Sequence, residues 1–221
     1  SIAKKHKLFV IEDCAQAAGA KRSGIVAGSM SDLAAFSFYP TKVLWTYGDG
    51  GMVLTNSKEL EAKMRMLRMY GISKEYYSEF LGYNSRLDEV HAAILRFKLK
   101  NLKKYILKRK KVAEKYYKKL KNTSLILPVQ DPQSDHVFYV FVCRHPQRDM
   151  ILESLKTKGI ILNVSYKYPI HLMKGFSFLG YKKGDFPKAE RIANEIFSLP
   201  MYPELSKEDQ DAVIFELKQI I

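Results

Sequence analysis

Cysteine is scarce in this chain of 221 residues, which has two. Cys14 and Cys143 lie far apart and outside any metal-ligand spacing. Neither a disulfide framework nor a thiolate metal site is expected, and a reduced, cytoplasmic chain is the default reading. Long apolar runs are also lacking. No stretch of eighteen consecutive apolar residues occurs, so no transmembrane helix is predicted. The opening SIAKKHKLFVIEDC has LFVI as its only apolar run, too short for the core of a signal peptide. Acidic residues are the third shortage. Against 37 Lys and Arg stand 23 Asp and Glu, a formal net charge of +14, with an isoelectric point near 9.6. Apolar side chains make up 47% of the chain and aromatic ones 12%, which excludes a disordered tail and suffices for one large domain or two small ones.

The basic excess invites a nucleic-acid reading until the charge is located. Much of it falls in Lys98–Lys121, KLKNLKKYILKRKKVAEKYYKKLK. There Leu99, Leu102, Ile106, Val112, Tyr116 and Leu120 recur along one helical face and lysines fill the other, the pattern of a solvated helix. No zinc-finger spacing, RNP-like strand or helix-turn-helix pairing accompanies it. A basic regulatory protein acting on nucleic acid is therefore the least favoured reading. Such a face adds weak, salt-sensitive attraction to polyanions, nucleotide diphosphates included.

Strand and turn signals alternate through the first third of the chain. IAKKHK reads as a helix running directly into LFVIED (8–13), an apolar run ending on two carboxylates, as a buried parallel strand does. AAFSF (34–38) and GMVLT (51–55) read as further strands, and Asn56 or Ser57 caps a helix through about Tyr70. A polar, aromatic loop then leads to a long helix from about Leu87 to Leu120. Pro128 and Pro132 break the pattern, placing a domain boundary between 1–121 and 122–221. The second part reads as a small α+β unit. Strands are expected at VFYVFV (137–142) and GIILNV (159–164), and helices at Pro146–Lys158, Pro187–Ser198 and Ser206–Ile221.

Three residues suggest chemistry. Asp13 ends a strand, where open α/β sheets place ligands, and a buried carboxylate there needs a cationic partner. Gln16 follows within reach of the same ligand. Lys42 stands in SFYPTKVLWTYGDGG among Phe38, Tyr39, Leu44 and Trp45, surroundings that can lower a lysine's pKa enough to make it a nucleophile. A carboxylate and a lysine from neighbouring strand ends match what pyridoxal phosphate needs: a partner for its ring nitrogen and an amine for the Schiff base. From spacing alone two plainer readings stay open, Asp13 as a helix cap and Lys42 as a surface lysine.

The segments EDCAQAAGA (12–20), SDLAAFSFYPTKVLWTYGDGGMVLTN (31–56) and GYNSRLDEVHAAILRFKL (82–99) closely resemble the sugar aminotransferases of the DegT/DnrJ/EryC1/StrS family. The resemblance extends through essentially the whole chain and implies the fold-type I architecture: an α/β remainder of the large cofactor domain followed by a small α+β domain. It implies pyridoxal 5'-phosphate and pyridoxamine 5'-phosphate as cofactor forms. Asp13 would pair with the pyridine nitrogen, Gln16 would contact the phenolic oxygen, and Ser37 would bond the phosphate. Lys42 would be the Schiff-base residue. Asn84 would reach the phosphate site of a partner subunit in a homodimer, with Arg86 beside it. Arg86, His171 and Tyr39 are the implied substrate contacts, His171 with a structural role as its alternative.

A related subgroup of dehydratases has histidine in place of the lysine, so Lys42 points to transamination. The implied substrate is a nucleotide-diphospho keto sugar, with glutamate as amino donor. The wording SFYPTK…YGDGG favours 3-keto-6-deoxyhexoses over 4-keto sugars, although Trp45 departs from the small residue more usual there. In YKYPIHL (166–172), Lys167 replaces the usual first proline of a segment that borders the sugar pocket. The family's chains run to nearly twice this length, and their early strands, phosphate-binding turn and ring-stacking aromatic have no counterpart here. A further N-terminal segment, a second polypeptide of a split enzyme, or a non-catalytic remnant are the expectations that follow.

Overall fold

The structure is a computed structural model and describes residues 2–221. Its contacts divide the chain into two units. One runs to Ile106 and takes back Gln130–Tyr139; the other comprises Leu107–Val129 and Val140–Ile221.

The first unit opens with helix α1 (Ile2–His6), followed by strand β1 (Ile11–Asp13). Two short strands, β2 (Lys21–Arg22) and β3 (Ile25–Val26), come next. Strands β4 (Leu33–Ser37) and β5 (Gly51–Leu54) complete a sheet of order β1-β4-β5. β1 pairs parallel to β4, and β5 antiparallel to it. Helix α2 (Lys58–Leu67) starts at Ser57, whose hydroxyl accepts from Leu60 N at 3.2 Å; of the two sequence candidates, this is the residue that satisfies an orphan N–H. The aromatic loop folds into a hairpin, β6 (Ile72–Lys74) and β7 (Tyr77–Ser78). Helix α3 (Glu89–Leu120) follows, and β8 (Ser134–Asp135) adds to β2. Ala18, Phe38, Leu44 and Leu95 form the buried cluster, with Phe36, Leu87 and Leu102 packed against it.

In the second unit, β9 (Phe141–Arg144) pairs antiparallel with β10 (Ile196–Leu199). Helices α4 (Arg148–Thr157), α5 (Pro187–Glu195) and α6 (Lys207–Ile220) complete it. Phe141 and Cys143 face the core with Phe197 and Leu199, as the two-residue alternation requires. The last turns of α3 bury Val112, Ala113, Tyr116 and Leu120, and α6 buries Gln210, Val213, Ile214 and Leu217 at helical spacing. Two of the unit's interior polar side chains bond backbone carbonyls: the Tyr116 hydroxyl donates to Pro200 O at 2.9 Å and Gln210 Nε2 to Val112 O at 2.8 Å.

Several sequence expectations change. The parallel strand is shorter than LFVIED and is not buried: Phe9 is 84% and Ile11 69% exposed. The strand expected over 137–142 starts only at Phe141, because Phe138 takes a left-handed φ of 50° that breaks an extended run. GIILNV makes no strand; its one ladder contact is an isolated bridge from Asn163 to Ser198. The helix expected through Ser198 ends at Glu195, where β10 takes over. The change of unit falls within α3 rather than after residue 121, because that helix has two apolar stretches. Leu95 lies in the first unit's core, whereas Val112, Tyr116 and Leu120 lie in the second's. Among the described residues, no helix is long and apolar enough to cross a membrane.

Glu12 fixes the loop that precedes β4. Its carboxylate accepts from Gly28 N at 2.8 Å, Met30 N at 3.4 Å and the Ser31 hydroxyl at 3.3 Å. Gly28 has a φ of 91°, and a Cβ there would lie 2.6 Å from Phe36 Cζ, so only glycine fits. Burial alone would raise the Glu12 pKa, but these donors together hold it below the usual carboxylate range. A carboxyl depressed in the folded state stabilises above its unfolded pKa and loses that contribution as pH falls through the folded value. Glu12→Gln is therefore expected to lower unfolding free energy at neutral pH by about 1–2 kcal/mol. In urea melts the difference from wild type should shrink progressively below about pH 4.3, the unfolded glutamate value.

Candidate active site

The pairing of β1 with β4 sets Asp13 opposite Ala35. Side chains alternate along a strand, so Ser37, two residues beyond Ala35, shares the Asp13 face, and Glu12, Ala34 and Phe36 lie on the other. The carboxylate and the hydroxyl thus stand on one face at the carboxyl ends of adjoining strands. Asp13 is exposed rather than buried, and its Oδ1 accepts from Ala15 N at 3.0 Å. The expected buried carboxylate with a cationic partner is therefore not found. Gln16 is likewise exposed, in the turn that follows.

From Ser37 the chain enters the loop that holds Lys42. Tyr39 N donates to Ser37 Oγ at 3.3 Å, and Lys42 N to Tyr39 O at 2.9 Å. Val43 and Leu44 are buried beside Lys42, which is itself half-buried, while Tyr39 is half exposed. Two residues here have no role suggested by the sequence. The Lys42 Nζ lies over the Tyr139 ring, 4.5 Å from its centroid, and the Tyr139 hydroxyl pairs with Thr41 Oγ1 at 2.9 Å. Tyr139 was read as part of a strand, and only the turn at Phe138 puts it here. Thr41 was visible within the lysine motif but had no partner to suggest its use.

Asn84 and Arg86 are both exposed, and Arg86 Nε donates to Asn84 Oδ1 at 3.1 Å. They line a cleft of about 490 Å³ with Leu87, Asp88 and Glu89. His171 belongs to the second unit. Its Nε2 pairs with Glu190 Oε1 at 3.0 Å, and its ring packs edge-on to Phe186. Glu190 also accepts from Gly184 N at 2.8 Å, and the His171 bond, with this one, holds its carboxyl below the usual range. The His171 bond ties the 3-10 turn Ile170–Leu172 to α5, and the Gly184 bond ties the turn just before α5 to the same carboxylate. Both cysteines are free and buried. Burial pushes the thiol of Cys14 up to about 11 and that of Cys143 up to about 12, so neither is a nucleophile at neutral pH.

Comparisons with known proteins identify the family to which this chain belongs. The chain belongs to the DegT/DnrJ/EryC1/StrS aminotransferase family, whose sequence profile matches residues 1–218. It is 50% identical, over 100% of its length and 60% of the relative's, to the dTDP-3-amino-3,4,6-trideoxy-alpha-D-glucose transaminase of Micromonospora megalomicea subsp. nigra. A Geobacillus stearothermophilus relative named pleiotropic regulatory protein is 45% identical over 99% of this chain and 60% of its own. Among solved structures, S. venezuelae DesV in complex with a ketimine intermediate superposes with a TM-score of 0.94 and 38% identity, covering 99% of this chain and 59% of that one. The chain therefore spans about 60% of the length of the proteins it matches, and over that span it has the aminotransferase fold.

The Thr41–Tyr139 pair is open to a double-mutant cycle. Thr41→Val and Tyr139→Phe are each expected to cost about 0.5–1 kcal/mol in chemical denaturation. The double variant should cost no more than either alone, because both remove the same hydrogen bond.

Proposed function

We propose that this chain carries the lysine-bearing part of a pyridoxal-phosphate-dependent transaminase acting on a nucleotide-linked keto sugar. The preferred substrates are 3-keto-6-deoxyhexoses and the amino donor is glutamate. The observation that carries this reading is the placement of Asp13 and Ser37 on one face at the carboxyl ends of β1 and β4, with Lys42 in the loop that follows. This set fits the three handles of the cofactor: a ring nitrogen that a carboxylate can keep protonated, a phosphate that a hydroxyl can bond, and an aldehyde that an amine can hold. The 3-amino sugar in the name of the Micromonospora relative supports the choice of carbon.

Bound there, pyridoxal phosphate supplies an electron sink and a carrier for the amino group. The side chains do the rest. Asp13 keeps a proton on the ring nitrogen, since a neighbouring carboxylate favours the cation. Ser37 would donate to the phosphate, and Gln16 would donate its amide to the phenolic oxygen. Lys42 would hold the aldehyde carbon and, as a free amine, would move the proton to and from the substrate carbon. The Tyr139 ring gives the freed ammonium a resting place. Tyr39 and Arg86 contact the sugar nucleotide, and Asn84, exposed beside its cleft, reaches the phosphate site of a second copy in a homodimer. His171, bonded to Glu190, fixes the wall of the sugar pocket rather than touching the sugar. The two buried, unpaired thiols support a cytoplasmic setting.

Titration of the chain with pyridoxal phosphate, followed by borohydride reduction and peptide mapping, tests the reading. Saturable binding at micromolar concentration with the reduced adduct on Lys42 is expected, and Lys42→Ala should abolish the adduct. Absence of saturable binding would instead assign the chain to a non-catalytic branch of the family, or to one part of a split enzyme.

A further inference from the structure

The loop between β4 and β5 is closed at its base by its own backbone. Phe38 N donates to Gly50 O at 2.8 Å and Thr46 N to Phe38 O at 2.9 Å. Its outer limb is held differently, by side chains at and beyond the start of α3. Leu87, His91, Leu95 and Lys98 follow at steps of four, four and three residues, one stripe of a helix. A Cβ on Gly50 would lie 3.0 Å from Leu87 Cδ1, and one on Gly48 3.0 Å from His91 Cε1. Leu95 shares a buried cluster with Phe38 and Leu44. Lys98 ends the stripe. Its Nζ stands directly over the Trp45 ring and 4.6 Å from the Tyr47 centroid. The two rings meet edge to face at 5.1 Å.

This lysine is unusual in what it lacks. Its Nζ is buried and has no hydrogen-bond partner among the described residues. One helical turn away on α3 stand Ile94, Leu95, Asn101 and Leu102, none of them ionisable. On the loop the titratable group facing it is Tyr47, and the exposed Asp49 makes no ion pair with it. A buried ammonium without acceptors is costly, and an indole face is the strongest aromatic partner that can offset it.

We propose that Lys98 is a positioning residue for the Lys42 loop. Its ammonium, held on the faces of Trp45 and Tyr47, anchors the outer limb of the loop to α3 and so fixes where the Lys42 amine stands. The proposal rests on Lys42 as the cofactor-anchoring residue. Burial lowers the Lys98 pKa to about 8, so the anchor is cationic below that pH and neutral above it.

Trp45 is the sole tryptophan, so its emission reports this contact alone. Wild-type emission is expected to show a pH transition centred near 8, absent in both Lys98→Met and Lys98→Arg because neither side chain titrates there. The rate of borohydride-trapped pyridoxal phosphate at Lys42 is expected to fall about tenfold in Lys98→Met, as a misplaced reacting group would cause. It should stay within about twofold in Lys98→Arg, which keeps a cation on the rings. A transition that persists in both variants overturns the proposal. Equal trapping rates in wild type and Lys98→Met overturn it as well. Wild-type protein that traps nothing at Lys42 but shows the Lys98-dependent transition overturns the Lys42 assignment, and the positioning role with it, while leaving the Lys98–Trp45 contact established.

Discussion

The register between β1 and β4 is the constraint on which the candidate site depends. Three parallel pairs, Ile11 with Leu33, Glu12 with Ala34 and Asp13 with Ala35, decide which side chains share a face. A slip of one residue would send Asp13 to the face now held by Phe36 and bring Glu12 towards Ser37. The register is protected from both sides. Glu12 is tied to Gly28, Met30 and Ser31 on one face, and Cys14 N donates to Ala35 O at 2.8 Å just beyond the last pair. An acidic residue on one face of β1 thus helps to hold in place the acidic residue proposed to serve the cofactor on the other.

Downstream of that register, the lysine is placed by a loop rather than by a strand. Loops tolerate displacement more readily than strands, so the side chains that restrain this one matter. Its base is closed by backbone bonds, its outer limb lies on α3, and the Lys42 amine lies on Tyr139. Helix α3 therefore does two tasks with different parts of its length. Its first turns support the loop, and its last turns, through Val112, Tyr116 and Leu120, form the core of the second unit.

Much of this was legible in the sequence. Lys42, Asp13, Gln16 and Ser37 stand in the motifs that carry the family resemblance, and periodicity located α2, α3, α4 and α6 closely. The failures are physical ones. GIILNV has strand composition, but strand propensity is realised only where a partner is present, and Asn163 finds just one bridge. The break at Phe138 could not be read because a left-handed phenylalanine has no local signature. Tyr139 was missed for that reason, and with it the surface on which the lysine rests. Lys98 was hidden among the lysines of a solvated helix. Only its placement over Trp45 separates it from them.

The central claim is that Asp13, Ser37 and Lys42 serve one ring, and the protonation of its nitrogen tests this most directly. The 15N resonance of ring-labelled pyridoxal phosphate bound to the chain should show a protonated nitrogen at neutral pH, and Asp13→Asn should lose that proton while keeping the adduct on Lys42. A ring nitrogen that is unprotonated in wild type, or equally protonated in Asp13→Asn, would contradict the account.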